Sequence, residues 1–562
     1  MRRNTRKYLF SGLGVLFIIG LCVFGRSFLK SVFINEYDQS DEAVIAIFNR
    51  SSKSETFHPG AVQHYKAILR STALLSRSGS LDAAMADHDV LITVETWPNR
   101  LSYGKNVLSE IVNGGFDFSI KQLAKLAAAA KHQVYIRWAP DMEVPVQEYP
   151  WQFQSSEAYN KAFNYFAQKI KQYAPNVKIV WGPSGYPGDT EYWPGSRAVD
   201  LASITLGGNS EYSLNVYPKD HTIPEMLKHK LHRLRFIDKP VLVIMASHVS
   251  HSDFKASWLT DQQAYMDKYK DLIYAPGNYV DTGKVKPVRK HLAVGAFDPN
   301  KKLIEQKFIT VEHLFTDWGE LKRGDFERKF QEVIDRRHDP IVTMEPWHDV
   351  DGKTEDNALE AILSGKHDEE IRKLFHIISS VKRTVYLRWL HEMEIPIHRY
   401  PWQSQDPVTY IHTFRYFMQF EGGPGSNVKK IWGPAGDRGS IDFWPGDDVV
   451  DYISIAIYGL PDKNITDPEQ QESFRTIFER KYHRMRFADK PLFITEFGVK
   501  GPEKFQDKWL SDTAKTINAY PQIFGVCYFN LYDNPKAWGD IKAPDWSITA
   551  ASMNRFYSLL KQ

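Results

Sequence analysis

The second half of the chain carries eight short apolar runs: Leu292 to Phe297, Val311 to Phe315, Ile341 to Met344, Val385 to Trp389, Lys430 to Trp432, Ile453 to Ile457, Leu492 to Thr495 and Phe524 to Phe529. Helix-like stretches separate them. Eight strands alternating with helices predict an α/β fold, a (β/α)8 barrel. Polar and aromatic residues gather where the runs end, at Glu345-Pro-Trp347, His391-Glu392, Trp432-Gly-Pro, Tyr458 and Glu496. These ends form the C-terminal rim, where barrels of this type do their chemistry.

The chain repeats itself. Tyr135 to Gln152 (YIRWAPDMEVPVQEYPWQ) and Tyr386 to Gln403 (YLRWLHEMEIPIHRYPWQ) share ten identities in 18 positions at an offset of 251. The offset recurs in Trp181-Gly-Pro and Trp432-Gly-Pro, in Trp193-Pro-Gly and Trp444-Pro-Gly, and in LHRLRFIDKP (231–240) and YHRMRFADKP (482–491). A tandem pair of barrels is therefore expected, over 31–290 and 291–562.

Ahead of them, Tyr8 to Gly25 is an 18-residue uncharged run beside a basic cluster. It has neither a small-x-small exit nor a lipoprotein-type site, so 1–30 is read as a cytoplasmic basic tail and an uncleaved transmembrane anchor. By the positive-inside rule this expects a single-pass inner-membrane protein with its barrels outside the cytoplasm.

Composition adds little to the fold and more to the exclusions. At 43% hydrophobic, 14% aromatic and 25% charged, the chain is not compositionally disordered, and two Cys cannot supply a disulfide framework. The net charge of +3 includes six cations among the first 30 residues, so the remainder is slightly acidic, which argues against nucleic acid as a partner. The sequence shows no phosphate loop, nucleotide fingerprint or tight Cys/His cluster. No cofactor and no metal are expected, and His248 and His251 read as loop residues.

The motif RWLHEME (388–394), followed about a hundred residues later by FITEFG (493–498), resembles glycoside hydrolase family 26, whose members cut β-mannans and mixed-linkage β-glucans. The resemblance implies that Glu392, ending the fourth run, is the general acid/base and that Glu496, ending the seventh, is the nucleophile. It further implies that Tyr458 hydrogen-bonds the nucleophile. Glu394 stands where the family commonly has Asn.

The chemistry of the residues is compatible with these roles. Retaining hydrolysis needs two carboxyls ~5 to 5.5 Å apart, and mutual repulsion with partial burial should hold Glu392 protonated. His391 could orient the acid or contact sugar. Arg388 could fix the nucleophile by charge-assisted hydrogen bonds, or serve the shared fold, since the first copy keeps it as Arg137. Substrate contacts are expected among Glu345, Trp347, Glu394, Trp402, Trp432, Trp444 and Trp538, with only two of the tryptophans lining the cleft.

In the first copy Glu392 becomes Asp141, His391 becomes Pro140, Tyr458 becomes Gly207 and Glu496 becomes Met245. That copy reads as a noncatalytic barrel that binds glycan through Trp97, Trp138, Trp151, Trp181 and Trp193, or only packs. The function expected for the whole is a membrane-anchored retaining endo-β-glycosidase acting on an exported or cell-surface polysaccharide, with synthesis or export machinery as a partner. Its alternatives are a noncatalytic glycan-binding scaffold and a transglycosylase using the same carboxylates.

Overall fold

The computed structural model of the chain describes residues 34–39, 43–48, 55–56, 61–71, 74–75, 79–99, 106–145, 148–206, 222–245, 257–270, 274, 287–347, 357–396, 399–459, 472–533, 535 and 542–561. The chain divides into two compact units, Met1–Asn215 with His221–Tyr265, and Val216–Asp220 with Met266–Gln562. This division falls ahead of the 290/291 boundary read from the repeat. The segment before 291 is tied into the second unit: the Arg289 backbone N–H donates to Pro521 O (2.9 Å) and its guanidinium to Tyr520 O (3.0 Å) and Ile523 O (3.1 Å).

The strands of the first unit are β1 (Ile34–Gln39), β2 (Ala43–Phe48), β3 (Glu55–Thr56), β4 (Val62–Leu69), β5 (Leu74–Leu75), β6 (Asp89–Thr96), β7 (Val134–Trp138), β8 (Lys178–Trp181), β9 (Leu201–Leu206) and β10 (Val241–Met245). They form one sheet in the order β3-β2-β10-β9-β8-β7-β6-β4-β1-β5. From β4 through β10 the ladder is parallel, while β1 joins β4 and β2 joins β10 antiparallel. Among the described residues this is an open, partial barrel, which corrects the expectation of a second complete eight-stranded one. The polar-alternating sequence INEYDQ of β1 lacks the continuous apolar character of the parallel barrel strands.

The second unit adds β11 (Ala293–Phe297), β12 (Val311–Asp317), β13 (Asp339–Glu345), β14 (Val385–Trp389), β15 (Val428–Trp432), β16 (Tyr452–Ile453), β17 (Ala456–Gly459), β18 (Leu492–Val499) and β19 (Ile523–Phe529). All pairings are parallel, in the order β16-β15-β14-β13-β12-β11-β19-β18-β17, and the pairing Ile453↔Leu492 between β16 and β18 closes the ring. β16 and β17 are the two halves of one stave interrupted at Ser454 and Ile455, so the barrel has the eight staves that the apolar runs predict. The helices bury one stripe each; in Asp368–Ser379 it is Ile371, Leu374, Phe375 and Ile378, the i, i+3, i+4, i+7 pattern.

The barrel interior is layered. Val311, Ile341, Tyr386, Ile431, Phe493 and Cys527 pack as an apolar floor. Two residues further along three of these strands come His313, Thr343 and Arg388, a polar middle layer from successive inward positions.

The expected transmembrane helix calls for a correction of the localisation. Among the described residues no helix is long and apolar enough to cross a membrane, which stands against a single-pass inner-membrane protein. The run 8–25 that prompted the expectation lies outside the described residues.

Gly433, directly after β15, packs against the middle layer. A Cβ there would lie 2.8 Å from Arg388 Cδ and 3.0 Å from its Cγ, and Gly182 meets Arg137 in the same way at 2.9 Å. Gly433→Ala should therefore displace the buried Arg388 stem and lower stability by about 1–3 kcal/mol, read by denaturant or thermal unfolding of the full chain.

Candidate active site

Glu496 owes its position to an irregularity in β18. The β18–β19 register shifts between Ile494 and Phe497, and the two consecutive residues spanned by the shift, Thr495 and Glu496, both reach Arg388. In a regular strand neighbouring side chains point to opposite faces, so the irregularity is what re-aims the carboxylate inward. The buried Arg388 donates from Nε to Thr343 Oγ1 (2.8 Å), from Nη1 to Thr495 Oγ1 (3.1 Å) and from Nη2 to Glu496 Oε1. Tyr458 OH donates to the other Glu496 oxygen at 2.8 Å. Arg388 and Tyr458 thus flank the carboxylate.

Glu392 is held by the turn after β14. Leu390 and Glu392 both have left-handed backbones (φ 48° and 55°), a conformation that costs about 1–3 kcal/mol per non-glycine residue and persists only where the surroundings enforce it. The surroundings do so through four hydrogen bonds. Glu392 N donates to Gly433 O (2.8 Å), while the Leu390, His391 and Glu392 carbonyls accept from Tyr410 OH (3.0 Å), Trp402 Nε1 (2.7 Å) and Gln403 Nε2 (3.1 Å).

Beside the acids stands an aromatic wall. The Tyr400 ring stacks on Trp402 (centroids 4.6 Å apart) and meets Trp347 at 5.1 Å and His391 at 5.0 Å. Glu345, ending β13, accepts from Trp347 Nε1 (3.1 Å) and lies 3.7 Å from His391 Nε2. The structure therefore brings Glu345, Trp347 and His391 together, with Glu392 next along the turn after β14. Other expected substrate contacts are corrected. Trp402, Trp432 and Trp444 are buried, the last two edge to face with each other at 5.1 Å, so all three are core. Glu394 is also buried, and its carboxylate accepts from Gly436 N (2.8 Å), Asp437 N (3.0 Å) and Ser440 Oγ (2.8 Å), which makes it the brace of the loop after β15. Trp538 lies outside the described residues. Tyr400 and Arg399 belong to the site and were not singled out by sequence, although both sit inside the repeated motif.

Electrostatics separates the carboxyls. Burial pushes Glu392 up to about 7, helped by the neighbouring Glu496 carboxylate and opposed by Arg388. Burial pushes Glu345 up to about 8, against the pull of Arg388 and Arg399. Burial and then the Arg388 charge hold His391 and His313 well below the ordinary imidazole range. Near neutrality the mouth thus presents a carboxyl that can give a proton beside a carboxylate paired with a cation.

The first unit keeps the frame and loses the chemistry. Ala139 and Asp141 repeat the left-handed turns (φ 45° and 56°); Asp141 N donates to Gly182 O (2.8 Å), and Trp151 Nε1 donates to Pro140 O (2.7 Å). Arg137 donates to Thr93 Oγ1 (2.9 Å), but β10 ends in the buried Met245 where β18 has Glu496. Trp138, Trp151, Trp181 and Trp193 are buried and Trp97 is half-buried, which corrects four of the five expected glycan-stacking tryptophans to core. Gly207 lies outside the described residues.

No family model matches the chain. Among curated proteins it is similar to endoglucanase H of Acetivibrio thermocellus, 24% identical over 264 residues that make up 44% of this chain and 27% of that protein. It is also similar to a β-1,3-xylanase of an Alcaligenes species, 27% identical over 30% of this chain and 34% of the relative. These relatives are glycoside hydrolases. They support a hydrolase, though the chain spans only about a third or less of their length. Solved structures that align include GH26C from Muricauda sp. MAR_2010_75, at 14% identity, 48% of this chain, 85% of that one and a TM-score of 0.36.

The raised carboxyls have a consequence for stability. Between the ordinary carboxyl value and about 8, the native Glu345 holds a proton that the unfolded chain releases, so its contribution is present at low pH and is lost as pH rises toward 8. Glu345→Gln should leave a fold whose Tm is less pH-dependent between about pH 5 and 8.5 and is higher than the parent's at the alkaline end, checked by thermal unfolding across that range.

Proposed function

We propose that the second unit is a retaining endo-β-glycosidase of the glycoside hydrolase family 26 type, acting on a β-linked polysaccharide of the mannan or glucan class. The observation that carries this reading is the pairing of two unlike carboxyls: Glu496, gripped by Arg388 and Tyr458, and Glu392, pushed up to about 7 by burial and by Glu496. In this reading a Glu496 oxygen attacks the anomeric carbon while Glu392 gives its proton to the departing glycosidic oxygen. The resulting glycosyl ester is then opened by a water whose proton returns to Glu392, which restores both side chains. The half-buried Trp347, backed by the buried Tyr400 and Trp402, supplies an apolar face for sugar rings. The first unit, with Met245 in place of the nucleophile and Asp141 one methylene short of the acid, is read as noncatalytic.

Glu392→Ala and Glu496→Ala in the full chain should each lower reducing-end release by about a thousandfold or more, while the fold stays intact by circular dichroism. The panel should hold β-mannan, mixed-linkage β-glucan, cellulose and β-1,3-xylan, with product sizes recorded to establish internal cleavage. Azide should rescue Glu496→Ala with inversion at the anomeric carbon and Glu392→Ala with retention. Undiminished activity in Glu496→Ala would transfer the chemistry to the first unit or to another residue.

The pH dependence is a separate check. Since Glu392 must be protonated to act, kcat/KM should fall as pH rises through about 7. An alkaline limb unchanged in Glu392→Gln, measured on its residual rate, would assign that limb to a different group.

A further inference from the structure

Among the described residues, Arg399 is a cation at the second unit's mouth that the mechanism leaves unused. Its guanidinium carbon lies 5.1 Å from the centroid of the Tyr400 ring. Since Trp402 stacks on one face of that ring in near-parallel planes (5°), the guanidinium occupies the other face, on the same wall that carries Trp347 and His391. The side chain is exposed and makes neither ion pair nor hydrogen bond among the described residues. Other arginines of this unit are engaged: Arg388 by Glu496, Arg415 by Asp448 (2.7 Å) and Arg484 by Gly436 O (2.9 Å). Glu392, Glu345 and Asp533 act on Arg399 through space only.

The repeat supplies an internal comparison. At the offset of 251 the position of Arg399 is filled by Glu148 in the first unit, while the wall itself is retained there: Trp97 meets Tyr149 at 6.0 Å, and Tyr149 stacks on Trp151 at 4.9 Å. The wall forms with an acid at this place as readily as with a cation, so packing does not require the charge. The cation is instead a property of the cleft that carries both glutamates. A guanidinium over an aromatic ring, free of other hydrogen bonds, has N–H donors to offer in the fork geometry that matches a carboxylate, sulfate or phosphate group.

We propose that Arg399 is a specificity residue that makes this cleft a reader of anionic β-glycans, engaging an oxyanion group carried by the sugar chain beside the Tyr400 wall. The proposal rests on the glycosidase reading for its substrate class and deepens it by adding a charge.

The test compares mixed-linkage β-glucan oligosaccharides with the same oligosaccharides oxidised at C6 to carboxylates and with a sulfated set. Binding is measured by titration calorimetry on the full chain carrying Glu392→Gln, so that turnover does not intervene. The carboxylated set should bind about five- to tenfold more tightly than the neutral one at low ionic strength, and about 0.5 M NaCl should remove most of the preference. Arg399→Gln should abolish the preference and leave neutral binding within about twofold, while Arg399→Lys should keep part of it. Equal preference for the sulfated set would mark any oxyanion as the ligand; preference for the carboxylated set alone would mark a uronate-type group.

Equal binding of neutral and charged sets, binding of neither, or a preference that survives Arg399→Gln would overturn the proposal. Should Arg399→Gln fail to fold, the salt series and Arg399→Lys decide, since a preference indifferent to salt overturns it as well. Failure of the glycosidase reading would show separately, as no reducing ends released from any set by the chain with Glu392 restored.

Discussion

A guanidinium placed in the middle of a β-barrel has to be neutralised and hydrogen-bonded where it stands, and Arg388 imposes that requirement on everything around it. The cost of a desolvated cation is large unless a carboxylate and further acceptors meet it. Here the carboxylate is Glu496 and the acceptors are Thr343 and Thr495. The irregularity in β18, the absence of a side chain at Gly433 and the neutrality of His313, whose Nε2 is 2.7 Å from Thr343 Oγ1, all follow from fitting one cation into the middle layer. The nucleophile candidate is thus part of the core's charge balance, and its carboxylate is fixed before any ligand arrives.

The two units separate frame from chemistry. Both carry the left-handed pair after the corresponding strand, β14 in one and β7 in the other, the tryptophan that caps the next carbonyl and the buried glutamate that braces the following loop, Glu394 in one and Glu143 in the other, where Glu143 accepts from Gly185 N (2.9 Å) and Tyr186 N (3.0 Å). What the repeat preserves most strictly, the YPWQ and WGP segments, is therefore scaffold. His391, Glu392, Arg399 and Glu496, which distinguish the units, lie at a mouth whose Glu345 and Trp347 recur in the first unit as Glu95 and Trp97.

This explains which parts were legible in the sequence. The eight staves could be read because a parallel barrel strand is apolar at nearly every position, as in β14, where all five residues are buried. Glu392 and Glu496 could be placed because each ends such a run. The tryptophans were misread because a large aromatic at a strand end looks the same whether it caps a carbonyl, as Trp402 does, or faces solvent. Glu394 was misread for a related reason: its acceptors are consumed by backbone N–H groups 41 to 43 residues away and by the Ser440 hydroxyl, and no local pattern encodes that. The incomplete first barrel escaped notice because the repeated motifs lie on its parallel strands and say nothing of β1 and β2.

Among the described residues, four glutamates converge on the mouth of the second barrel or its supporting loop. What distinguishes them is the partner each one has. Glu496 has a guanidinium in direct contact, and Glu394 has a set of neutral donors that occupies its oxygens. Glu345 has an indole N–H on one oxygen and only a longer approach to His391 on the other, and Glu392 has a carboxylate for a neighbour. An arrangement of this kind sorts identical side chains into an ion, a brace and two proton holders without any change of residue type. Since only the ion is tied to the cation and only one proton holder sits on the strained turn beside it, the pair that can attack and protonate is singled out by its partners and by backbone geometry together.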